Sequence, residues 1–190
     1  MEACSWSRHP DQATCDDRIA FACFESITSG GCLACSRGIA GNIGHVRVRD
    51  DGNVCICGNR GCLETLVSAR GLVAALQPAH PEQELTIADL FRFVTAGDPG
   101  AERLVEDAGR AVGRTLADVV NVLNPAAIVV GGRLSGLGEL LLAGMRESIW
   151  RYSRPAAVAG LSVLRAERGE RAEVLGGLAL AHGVAGLAAG

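Results

Sequence analysis

The chain has 190 residues, 48% apolar and 21% charged, the composition of a globular domain long enough to bury a sizeable core. A net charge of −3 gives no long-range attraction to phosphate backbones and no basic stripe stands out, so direct DNA contact from this chain is not expected. All 18 basic residues are Arg, which removes P-loop, Schiff-base and general-base lysine chemistry from these residues. The 8 cysteines pose a choice between disulfides and metal. Met1 to Pro10 lacks the basic and apolar regions of a secretory signal, and no apolar run reaches the ~18 residues that span a bilayer. The expectation is a soluble cytoplasmic protein with reduced thiols and no membrane contact.

In chain order, residues 1–27 hold neither a helical nor a strand period and are read as an unassigned, weakly ordered segment, with 28–190 as one lobe. Ile27 to Val48, punctuated by Gly30, Gly31, Gly38, Gly41 and Gly44, predicts short strands joined by tight turns. Cys55 to Cys62 is too irregular for either period. Leu63 to Leu76 predicts a helix ended by Pro78 and Pro81. A second helix fits Ile87 to Ala96, with Thr86 and Asp89 forming a capping box. Asp98 as N-cap and Pro99 in the first turn open a long third helix, with Leu104, Ala108, Val112, Leu116, Val119 and Leu123 on one apolar face, stopped by Asn124-Pro125. Ala127 to Val130 reads as a buried strand followed by the Gly131-Gly132 turn, then a helix from about Glu139 to Tyr152 and a strand over Leu161 to Leu164. The arginines between Arg146 and Arg154 read as a solvated helix face. Ala172 to Leu187 predicts a small-residue helix. This alternation is an α/β pattern.

The chemistry concentrates in His45, Cys55, Cys57 and Cys62, spaced His-x9-Cys-x-Cys-x4-Cys and interleaved with Gly52, Gly58 and Gly61. Three thiolates and an imidazole satisfy a closed, tetrahedral structural zinc site. The bland alternative makes the cysteines small core residues. It fits poorly, because Cys55 and Cys57 are two apart and would point to opposite sides of a strand.

The wording around these residues resembles the ROK family of bacterial repressors and sugar kinases. Gly38-Ile-Ala-Gly41-Asn42-Ile-Gly44-His45 and Cys55-Ile-Cys57-Gly58-Asn-Arg-Gly61-Cys62-Leu-Glu64 carry the likeness, which continues through Ala96-Gly97-Asp98-Pro99, Asn124-Pro125, Ile128-Val-Val-Gly131-Gly132 and Ala172-Glu-Val-Leu-Gly176-Gly177. The resemblance implies the C-terminal lobe of an actin-like, ribonuclease-H-like ATPase fold, with a zinc-binding loop beside a sugar site and the N-terminal lobe missing. It implies that His45 both ligates zinc and lies against the sugar, and that Glu64 accepts hydrogen bonds from sugar hydroxyls. Taken alone, Glu64 reads better as a solvated residue at a helix start, and its place beside Cys62 and Leu63 reverses that preference. Asn42 stands where the family usually has Glu, so a neutral amide replaces a charged acceptor in the sugar site. Gly131 and Gly132 match the family's second nucleotide-binding glycines, but a plain strand-to-helix turn is the favoured reading of the pair.

Two functions remain open. One is the sugar-sensing module of a repressor of sugar metabolism, a homodimer without its own DNA-binding domain and with no catalytic residue. The other is part of an ATP-dependent sugar kinase, glucokinase-like or acting on N-acetylhexosamines. The phosphate loop and catalytic Asp that the kinases place upstream of the zinc motif are absent from the 44 residues before His45, which favours the first.

Overall fold

The computed structural model describes residues 42–166, to which every structural statement refers. The expected helix over Ala172–Leu187 lies outside the described residues. The helices are α1 (Glu64–Val67), α2 (Ala69–Leu76), α3 (Ile87–Thr95), α4 (Pro99–Leu123), α5 (Glu139–Tyr152) and α6 (Pro155–Val158). Strands β1 (Ala127–Val130) and β2 (Ser162–Arg165) pair in parallel, Ile128 opposite Val163 and Val129 opposite Leu164.

Punctuation residues set most of these bounds. Asp98 accepts a hydrogen bond from the Ala101 N–H at 2.8 Å, and Pro99 begins α4 where its missing N–H costs nothing. Asn124 ends it in a left-handed conformation, φ 47°, just before Pro125. Thr86 and Asp89 form the expected capping box on α3. The helix expected over Leu63–Leu76 is instead two. Ser68 is extended, and its hydroxyl accepts from the Gly71 N–H at 3.1 Å, so it closes α1 and caps α2.

The face that α4 buries is wider than its sequence pattern. Ala108, Val112 and Leu116 are buried as expected, but Leu104, Val119 and Leu123 are only half-buried, and Val105, Gly109, Gly113, Ala117 and Val120 join the core. The reason is α5. A Cβ on Gly109 would lie 2.3 Å from the Leu141 carbonyl oxygen, one on Gly113 2.3 Å from that of Met145, and one on Gly144 2.4 Å from that of Glu106. The helices cross at backbone contact, and these glycines are what lets them.

The short sheet covers the same core. Ile128, Val130 and Val163 are buried, whereas Val129 and Leu164, partners across the strands, are 60% and 51% exposed. The apolar run Ala127–Val130 is therefore buried on one face only, because helices cover one side. Two further expectations change. Asn42 to Val48 contains a 3-10 turn at Ile43–His45 and an isolated bridge at Arg47 rather than a strand. Arg146 is not simply solvated: its Nη2 donates to the Val163 carbonyl at 2.9 Å, tying α5 to β2.

Candidate metal centre and adjoining polar site

Residues 46–63 fold back on themselves as a short antiparallel ribbon. Val48 and Arg49 donate their N–H groups to the Gly61 carbonyl at 2.8 and 3.1 Å, and Leu63 donates to Val46 at 2.9 Å. Further out, Cys55 donates to Asn59 at 2.7 Å and Gly61 to Asn53 at 3.0 Å. Gly61 makes the closure possible: its φ is +68°, and a Cβ there would sit 1.7 Å from the Arg49 carbonyl oxygen. The Arg47 guanidinium adds a strap, donating to the Asp50 carbonyl at 3.2 Å.

At the tip, Cys55 to Gly58 is a turn closed by the Gly58 N–H on the Cys55 carbonyl at 2.9 Å, with Gly58 at φ +89°. A turn, unlike a strand, lets two cysteines separated by one residue aim at the same point. The ligand atoms of His45, Cys55, Cys57 and Cys62 all lie within 4.8 Å of one another, with Cys55 Sγ 3.5 Å from His45 Nδ1 and Cys57 Sγ 3.6 Å from Cys62 Sγ. A tetrahedral ion with metal–sulfur bonds of about 2.3 Å places neighbouring ligands about 3.8 Å apart. The cluster is thus of the right size and chemistry to hold a metal ion that prefers thiolate and imidazole. All three cysteines are free thiols. These four residues were read from spacing, and the fold brings all four together.

The electrostatics divide the sulfurs. The Asn59 backbone N–H holds the exposed Cys57 thiol below its ordinary value, while burial pushes Cys62 up to about 12, reinforced by the neighbouring sulfurs of Cys57 and Cys55. A cation at the centre reverses that second effect, because it favours the thiolate outright.

The metal loop is tied directly to the residues expected to meet a sugar. Cys62 precedes Leu63, which is fully buried, and Thr65 donates both its N–H and its hydroxyl to the Cys62 carbonyl, at 3.0 and 2.7 Å. That fixes the start of α1 and with it Glu64. On the other side, His45 closes the 3-10 turn begun at Ile43, donating its N–H to the Asn42 carbonyl at 3.3 Å. Gly44 lies between: a Cβ there would be 2.7 Å from Glu64 Oε2 and 3.4 Å from Asn42 Oδ1. Asn42 and Glu64, far apart in sequence, therefore present oxygens over one glycine beside His45. Gly131 and Gly132 are placed at the C-terminal end of β1, with Gly132 at φ +78°, opening the 3-10 turn Arg133–Leu137. Sequence reasoning missed Thr65 as the anchor of this corner; its position three residues after Cys62 was the available signal.

The described residues form an α/β assembly carrying a Cys3His loop, and the chain matches the ROK family over residues 22–184. The glucokinase of Halalkalibacterium halodurans is 33% identical over 165 residues, 80% of this chain and 50% of that enzyme. The DNA-binding transcriptional dual regulator NagC of Escherichia coli is 31% identical over 156 residues, 78% of this chain and 38% of the regulator. Among solved structures, a ROK family glucokinase from Streptomyces griseus in complex with glucose and AMPPNP superimposes with a TM-score of 0.63 at 30% identity, over 74% of this chain and 51% of that one. The chain belongs to the ROK family, whose fold is that of the actin-like ATPases. It spans half or less of the length of these two curated relatives, one a kinase and the other a regulator.

Proposed function

We propose that this chain forms the sugar-binding, effector-sensing lobe of a ROK-type transcriptional repressor, stapled by one structural zinc ion. The observation that carries the reading is the join between two clusters: His45 belongs to the Cys3His donor set and adjoins Gly44, over which Glu64 and Asn42 converge. Zinc fits three thiolates and an imidazole and supplies no chemistry beyond cross-linking the loop. With His45 Nδ1 turned toward Cys55 Sγ, binding through Nδ1 leaves Nε2 to carry the ring proton, a donor for a sugar hydroxyl oxygen or a carboxylate. Glu64 accepts from hydroxyls with the strength of an ionised partner, and Asn42 contributes an uncharged oxygen and an amide donor. The sugar is a hexose or N-acetylhexosamine, the repressor acts as a homodimer, and DNA is contacted by residues other than these.

The kinase reading is supported by the 33% identity to a glucokinase and by the superposition on the Streptomyces griseus glucokinase. On that reading Gly131 and Gly132 contact ATP, where the C-terminal end of a parallel strand is the customary place for a nucleotide. Titration calorimetry with hexoses and N-acetylhexosamines, run beside coupled ADP release, separates the two. Saturable sugar binding that is lost in Glu64→Ala, with ADP release at background, supports the sensing lobe. Turnover with any sugar replaces it with the kinase, and equal binding by Glu64→Ala removes Glu64 from the site.

A further inference from the structure

The loop's sulfurs differ in exposure in a way that a purely structural staple does not require. Cys62 is wholly buried and Cys55 is 3% exposed, whereas Cys57 stands exposed at the tip of the turn. Its sulfur is nevertheless 3.6 Å from that of Cys62. Gly58, next to Cys57, has nothing within 4 Å of where a Cβ would be, so the tip has space in which to shift. A disulfide needs the two sulfurs to close to about 2.05 Å, a local movement of the exposed member.

We propose that Cys57 is an oxidation site for peroxides and that Cys62 is its resolving partner. In the first step the Cys57 sulfur attacks one oxygen of the peroxide and breaks the O–O bond. The sulfur becomes a sulfenic acid, and the other oxygen leaves as water, or as an alcohol from an alkyl peroxide, taking the thiol proton. In the second step the Cys62 sulfur attacks the sulfenic sulfur and displaces its hydroxyl, which leaves as water with the Cys62 proton. Two thiols lose two electrons to one peroxide, and the product is the Cys57–Cys62 disulfide. Its consequence rests on the zinc reading above: two of four ligands are withdrawn, so zinc is released and the ribbon that fixes the start of α1 loses its staple. Cys55 is not the reacting residue, because it is buried with its sulfur against His45.

The test uses the full chain loaded with zinc, its metal content measured first, then treated with hydrogen peroxide and digested with trypsin without reduction. Cleavage after Arg49, Arg60 and Arg70 puts Cys57 in the peptide Asp50–Arg60 and Cys62 in Gly61–Arg70. The expected result is one linked species two hydrogens lighter than its parts, with fragmentation placing the bond on Cys57 and zinc release following the same time course. Separate peptides after peroxide, or a bond placed on Cys55, overturn the proposal. Zinc content before oxidant reports independently on the metal reading, since the linked peptide can form with or without metal. In Cys57→Ser the linked species is lost; a linked species that persists there, with Cys55 as the only thiol left in Asp50–Arg60, overturns the assignment to Cys57.

Discussion

The Glu64 carboxylate occupies the space that a side chain on residue 44 would need: a Cβ on Gly44 would lie 2.7 Å from Glu64 Oε2. The clash is with the end of a flexible side chain rather than with backbone. Gly44→Ala is therefore expected to fold normally while Glu64 swings away from Asn42 and His45. Losing one hydrogen bond to an ionised group costs about 1.5–3 kcal/mol, so sugar affinity should fall at least about tenfold by calorimetry, with the thermal midpoint almost unchanged.

Gly61 presents the opposite case. A Cβ there would sit 1.7 Å from the Arg49 carbonyl oxygen, and the φ of +68° disfavours any side chain. Neither partner is flexible, so the ribbon must open, carrying Cys62 away from Cys55 and Cys57. Gly61→Ala should lose stoichiometric zinc by elemental analysis, whereas Gly58→Ala, where the space is open and only the backbone conformation resists, should retain it.

The α4–α5 crossing is equally intolerant. A Cβ on Gly113 would be 2.8 Å from the Met145 Cα and closer still to its carbonyl oxygen. Gly113→Val must push the two helices apart along much of the core. A loss of about 3 kcal/mol or more is expected in denaturant unfolding, at or beyond the upper end for overpacked cores.

Asp89 makes the stability of α3 sensitive to acid. Its hydrogen bonds from Arg92 and then Thr86 lower its carboxyl from 3.8 to about 2. The folded value lies below the unfolded one, so this contribution is fully present above about pH 4 and is lost as pH falls through the folded value near 2. Wild type should thus exceed Asp89→Asn in unfolding midpoint at neutral pH, and the gap should close between about pH 4 and pH 2. A gap that stays constant across that window would remove Asp89 as its source.

What was legible in the sequence was mostly what short-range chemistry decides. Asp98-Pro99, Asn124-Pro125 and the Thr86–Asp89 box act within one helical turn, and each sits where its residue type placed it. The Cys3His spacing was legible for the same reason, since a ribbon of fewer than 20 residues offers few ways to gather four ligands. Ser68 misled because its hydroxyl can either ride on a helix or cap the next one, a choice made by packing.

By itself the sequence determined most helix ends, the four residues of the Cys3His cluster and the family to which the chain belongs. Only the tertiary structure decided which face of β1 is covered, that α4 and α5 meet through Gly109, Gly113 and Gly144, and that Asn42 and Glu64 share the space over Gly44. The physical reason is range. Caps and turns are settled by hydrogen bonds a few residues apart, whereas close approach of distant backbones depends on how the buried surfaces fit, and a glycine in sequence does not say what will lie against it.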